Sequence, residues 1–76
     1  MNTDKIYEVK DSSTIGKVVY NFQTNKLKVE FLNGSVYEYT NVDQHTFTNL
    51  CNADSKGKFF NENIKTKFQY SKLLLG

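Results

Sequence analysis

Residues 27–39 read LKVEFLNGSVYEY, and the fold turns on how this stretch bends back on itself. LKVEF alternates apolar and polar side chains with the period of two expected of a half-buried strand. SVYEYTNV (35–42) carries the β-branched and aromatic residues of a second strand. Between them, Leu32-Asn33-Gly34 is a hairpin signal, because Asn and Gly tolerate the positive φ that such turns require. The length of the turn decides where the rings point. A two-residue turn at Asn33-Gly34 sets Tyr37 and Tyr39 opposite the face of Leu27, Val29 and Phe31, and brings Glu38 into the core. A three-residue turn with Gly34 as the bulge residue gathers Leu27, Val29, Phe31, Tyr37 and Tyr39 on one face and leaves Lys28, Glu30 and Glu38 to water. The second register is preferred because it segregates the charges, with Val36 on the polar face as its blemish.

Outward from this hairpin, IGKVVYNF (15–22) reads as a preceding strand and QTNK (23–26) as the turn that joins it. IYEV (6–9) forms either a short edge strand or a segment draped over the core. After Val42 the apolar period changes to about 3.6. Asp43 suits an N-cap, Val42 and Phe47 a hydrophobic staple, and Phe47, Leu50 and Cys51 one face of a helix over roughly 44–53. Ser55 can cap a second helix that Gly57 enters sharply. Its Phe60, Ile64 and Phe68 fall at i, i+4 and i+8 and face the sheet. Lys58, Lys65 and Lys72 recur at spacings of seven and would line one flank of a helix that ran so far. Phe68, Tyr70 and the run Leu73-Leu74-Leu75 are too apolar to hang in water. They pack on IYEV or form a contact patch for a second copy or another protein. The expected fold class is α+β, a three-stranded antiparallel β-meander followed by two short helices packed on one face of the sheet. A chain of 76 residues makes a single domain, here with a core over 12–73 and an N-terminal extension over 1–11.

Composition narrows the function classes. One Cys and one His exclude an intramolecular disulfide and a four-ligand Cys/His metal site, so no metal and no cofactor are expected. No apolar run approaches the length of a membrane span, and a soluble cytoplasmic protein is expected. The net charge is only +2. It is unevenly spread, however, for residues 54–76 hold Lys56, Lys58, Lys65, Lys67 and Lys72 against Asp54 and Glu62. Every basic residue is Lys, which suits a diffuse anionic partner better than bidentate readout of bases. There is no nucleophile elbow, Walker loop or paired acid and base, and Cys51 reads as a buried, inert thiol. A non-catalytic binding module is therefore expected.

Two features are candidates for binding. The start of the second helix joins exposed amides to Ser55, Lys56, Gly57 and Lys58, a setting that favours anions. The aromatics Tyr37, Tyr39 and Phe59 lie near lysines in the composition of a single-strand stacking platform.

The blocks Ser12-Ser13, IGKVVYNFQTNKLKVEF and NGSVYEYTNV with its Tyr37-x-Tyr39 pair are followed by Ser55-x-Gly57-x-Phe59-Phe60-Asn61-x-x-Ile64, then Lys67 and Tyr70. In this order and spacing the chain resembles the KTSC domain over residues 12–73. That module is named for its occurrence at the C-terminus of some lysyl-tRNA synthetases and is also found free-standing in bacteria and their phages. The chain departs from the family pattern at Asp43, where Pro is frequent, and at Lys65 and Lys67, where Arg is frequent. The resemblance implies RNA, tRNA included, as the partner. Ser55, Lys56, Gly57, Lys58, Phe59, Asn61, Lys65 and Lys67 would then form the binding surface together with Tyr37 and Tyr39. Two alternatives stand beside it. One is a protein-interaction module, acting on a host protein if phage-encoded, with its contact at Phe59, an exposed strand edge and Leu73, Leu74 and Leu75. The other is a pocket for a small anionic nucleotide.

Overall fold

A computed structural model of the chain describes residues 4–10 and 12–74. The strands are β1 (Asp4–Glu8), β2 (Ile15–Asn21), β3 (Lys26–Phe31), β4 (Val36–Tyr39) and β5 (Tyr70–Leu74). The helices α1 (Gln44–Asn52) and α2 (Lys56–Asn63) lie between β4 and β5. All strands join one antiparallel sheet in the order β1-β2-β3-β4-β5.

The three-residue turn is the one that forms. Phe31 N–H donates to the Ser35 carbonyl at 2.8 Å, Gly34 N–H donates to the Phe31 carbonyl at 3.0 Å, and Gly34 takes φ 93°. Leu27 therefore pairs with Tyr39 and Val29 with Tyr37 on one face, while Lys28 pairs with Glu38 on the other. Asn25 and Asn41 also adopt positive φ, at 57° and 59°, where an Asn side chain is tolerated.

The expectation of three strands is too low. Of the two alternatives for IYEV the edge strand forms: it contributes to β1, hydrogen-bonded to β2, so residues 4–8 of the N-terminal extension join the sheet. Residues 70–74 add β5 beyond β4. Both are edge strands, which need only one hydrogen-bonded partner and one half-covered face, so their apolar alternation is weak. Tyr70 and Leu73, the described apolar residues of β5, consequently lie at the edge opposite IYEV.

The second helix is also shorter than its apolar stripe. Ile64, its C-cap, and Lys65 both donate to the Phe60 carbonyl, at 3.0 and 2.9 Å, and the chain turns away there. Phe68 reaches the core from the following turn, and Lys58, Lys65 and Lys72 occupy a helix, a turn and a strand rather than one helical flank.

Both helices cover the same face of the sheet. Phe47 and Leu50 of α1, with Phe60 of α2 and its C-cap Ile64, are buried with Ile15, Val18, Tyr20, Leu27, Val29, Tyr39 and Val42. Each such large side chain removed from water stabilises the fold by roughly 1.5–3 kcal/mol. The caps form as the sequence indicates: Asp43 accepts from Thr46 N–H at 3.3 Å and from its hydroxyl at 2.5 Å, and Ser55 accepts from Lys58 N–H at 3.4 Å. Cys51 is half-buried rather than fully covered, and burial raises its thiol pKa against the opposing charges of Lys56 and Lys5.

Candidate functional site

Because α2 stops at Asn63 while the sheet continues to β5, the helix leaves part of the covered face open. Two adjoining clefts border it. The first, of about 510 Å³, lies between α2 and β3–β4–β5. Its apolar lining is Phe31, Tyr37, Tyr39, Phe60 and Tyr70. Its polar lining comes from distant segments: Thr14, Asn33, Ser35, Asn61, Lys65 and Thr66. Phe60 lies edge-on to Phe31 at 5.5 Å and to Tyr39 at 5.3 Å, which fixes the wall beneath the helix. Tyr39 is buried at the floor. Burial, with smaller contributions from the neighbouring Tyr70 and Tyr37, pushes its pKa up to about 12. Tyr37 is half-buried, and the Lys72 ammonium sits 5.3 Å from its ring centroid. Tyr70 is 54% exposed.

The second cleft, of about 520 Å³, opens at the start of α2, where Ser55, Lys56, Gly57 and Lys58 face Ser12, Ser13 and Thr14. Ser12 shapes that wall by accepting from the N–H groups of Thr14 and Ile15, at 3.2 and 3.1 Å. Gly57 is closely approached: a Cβ there would lie 3.0 Å from Thr14 Oγ1 and 3.5 Å from Ser12 Oγ, so the Thr14 side chain would have to give way. Thr14 and Asn61 line both clefts and form the ridge between them.

Most of the residues expected at the site thus converge. Ser55, Lys56, Gly57, Lys58 and Asn61 line the second cleft, and Tyr37, Tyr39, Asn61 and Lys65 the first. Lys56 is nonetheless held in place, its ammonium donating to the Ala53 carbonyl at 3.0 Å and lying 5.7 Å from the Tyr7 ring centroid. Phe59 lines neither cleft and packs half-buried against the core, while Lys67 is exposed in the turn after α2, outside both. Of the C-terminal leucines, Leu73 is exposed on β5, and the Leu74 side chain and all of Leu75 lie outside the described residues. Sequence reasoning missed Thr14, Phe31, Asn33, Ser35, Phe60, Thr66 and Tyr70 as residues of the first cleft, and Ser12, Ser13 and the carboxylate Glu62 as residues of the second. For Tyr70 a signal existed, the tyrosine that closes the motif pattern. Among the described residues, no group of three or more His, Cys, Asp or Glu is placed to hold a metal ion, and no helix is long and apolar enough to cross a membrane.

The sequence model of the KTSC domain matches residues 11–68. Lysine–tRNA ligases of Nostoc punctiforme and Trichormus variabilis are each 43% identical to the chain over 63 residues, 83% of this chain but 11% of the ligase. The chain therefore spans about a ninth of the length of these curated relatives. The crystal structure of a KTSC domain protein from Yersinia pestis superimposes with a TM-score of 0.84 at 32% identity, covering 93% of this chain and 99% of that one.

Proposed function

The chain belongs to the KTSC domain family, and from that premise we propose that it is a non-catalytic module that binds RNA, tRNA included, across the two clefts beside α2. The observation that carries the reading is the convergence of Lys58 and Lys65 with aromatic rings on one continuous surface, divided only by Thr14 and Asn61. Cations near a groove attract phosphates, and ring faces accept bases without regard to sequence. Relatives that carry this stretch within lysine–tRNA ligases add an RNA context that supports the same reading.

Fluorescence anisotropy with labelled single-stranded RNA and tRNA, at about 50 and 200 mM salt, tests it. With phosphate contacts from Lys58, Lys65 and Lys72, the log–log salt slope for a single strand is expected near −2, by about −0.7 per contact. The double variant Lys58→Glu/Lys65→Glu abolishes binding on this reading. Flat titrations at both salts would sink it. A second reading, a protein-contact edge on β5, is favoured by Leu73, 48% exposed on a strand with one neighbour. It predicts a concentration-dependent assembly by analytical ultracentrifugation, which Leu73→Asp removes.

A further inference from the structure

The first cleft differs from the second in that its walls are rings, and those rings are not consumed by stacking on one another. Tyr37 and Tyr70 have centroids 5.5 Å apart with their planes at 49°, and Tyr39 and Tyr70 lie 5.4 Å apart at 37°. Phe31 meets Tyr37 edge-on at 88°. No pair in this group lies face to face, and Tyr70 keeps more than half its surface in water. The exposed part of the Tyr70 ring is therefore available to a flat aromatic ligand. The volume of about 510 Å³ falls within the roughly 300–1,000 Å³ of ligand-sized clefts.

The remaining lining narrows the ligand. Asn61 is exposed on the ridge, and its amide can both donate to and accept from the edge of a heterocycle. Lys65 lies on the same rim, and Lys72 flanks it over Tyr37. Among the described residues, no carboxylate lines this cleft. A flat face, a polar edge and an adjoining cation together match a nucleobase with its phosphate. A purely apolar ligand would make no use of the amide or the ammonium. Bases inside a duplex have both faces covered by their neighbours, so only an unpaired base can lie on a ring.

We propose that the cleft takes one unpaired nucleobase, stacked on Tyr70 and edged against Asn61 with its phosphate at Lys65, so that the module selects single-stranded over duplex RNA. This rests on the RNA-binding reading and gives that reading a site and a substrate form.

The test uses the full chain and a labelled RNA of about twelve nucleotides, single-stranded or annealed to its complement. The single strand is expected to bind at least about tenfold more tightly than the duplex. Tyr70→Ala weakens single-strand binding about fivefold or more, the lower end for loss of one stacked base. Tyr70→Phe retains the ring and the affinity. Neither substitution changes the salt slope, because no charge is lost. Asn61→Ala, at an exposed position on α2, provides an independent loss of affinity. Circular dichroism melts confirm that each variant is folded. Equal binding of duplex and single strand overturns the inference while leaving the RNA reading intact, and so does full affinity in both Tyr70→Ala and Asn61→Ala. No binding to any RNA overturns both.

Discussion

At the β2 end of the covered face, Tyr20 stacks on Phe47 with centroids 4.7 Å apart and planes 11° from parallel. At the β4–β5 end, Tyr37, Tyr39 and Tyr70 meet only at tilts of 37° to 49°. The residue types are alike and the sheet face is the same. What differs is the cover. Over Tyr20, α1 supplies a full ring, and the tyrosine hydroxyl donates to the buried Val42 carbonyl at 2.6 Å while lying 3.1 Å from the Asn25 side-chain amide. That hydroxyl ties the β2–β3 turn to the start of α1, a junction also held by Val42 N–H donating to the Asn25 carbonyl at 2.9 Å. Beside Tyr70, α2 has already ended. A tyrosine with ring and hydroxyl both satisfied by the protein is structural, and one left half-covered on a cationic rim is free to meet a ligand.

The contrast is broken most directly by truncating one ring from each end. Tyr20→Ala removes a fully buried aromatic and the hydrogen bonds of its hydroxyl, and is expected to cost about 3–5 kcal/mol. That is a large part of the roughly 4–11 kcal/mol available to a chain of this length. Tyr70→Ala, on an edge strand and about half exposed, is expected to cost about 1 kcal/mol for its cross-strand ring contacts. Urea unfolding of both variants measures the difference, and comparable losses would show that the open rings are structural too. A smaller effect sharpens the comparison through pH. The buried Tyr39 is held protonated up to about pH 12, whereas its ordinary value is 10.0. Between those values the unfolded chain has lost this proton and the folded chain has not, so stability falls as pH rises. The contribution is complete below pH 10 and gone above about pH 12. Burial, with the charge of Asp43, also raises Tyr20, so the closed end adds to the same alkaline loss. Thermal melts from about pH 9 upward should show the decline, less steeply in Tyr39→Phe.

The hairpin and both helix starts are legible in the sequence because their determinants are local. Gly34 fixes a register that charge segregation independently demands, and Asp43 and Ser55 cap within three residues of themselves. β5 is not legible for the opposite reason. Tyr70-Ser71-Lys72-Leu73 has no clean alternation, and its partner β4 lies across the whole helical segment 40–69. The apolar spacing of Phe60, Ile64 and Phe68 also fits a longer helix, although Phe68 reaches the core without one. The site divides in the same way. Its lysines and the Ser55–Lys58 helix start are contiguous and visible. Thr14, Asn33 and Tyr70 come from a loop, a turn and a strand that only the folded sheet brings together. Lys56 has the right charge in the right place, but nothing in its neighbours along the chain shows that Ala53 and Tyr7 engage it.

The sequential order of the sheet has a kinetic consequence. β1, β2 and β3 each meet the next strand across a short connection, over 9–14, 22–25 and 32–35, whereas β5 must close the segment 40–69 before it can pair with β4. For flexible segments of those lengths, the longer closure costs on the order of 1 kcal/mol more in chain entropy. Tyr70 and Lys72 are carried on that strand, so the outer wall of the aromatic cleft sits on an edge of the sheet that is expected to open more readily than its centre. Amide hydrogen exchange is expected to be faster in β5 than in β2 and β3, with protection in β5 rising when a ligand fills the cleft. Equal protection across all the strands would mean that the wall and the core open only together.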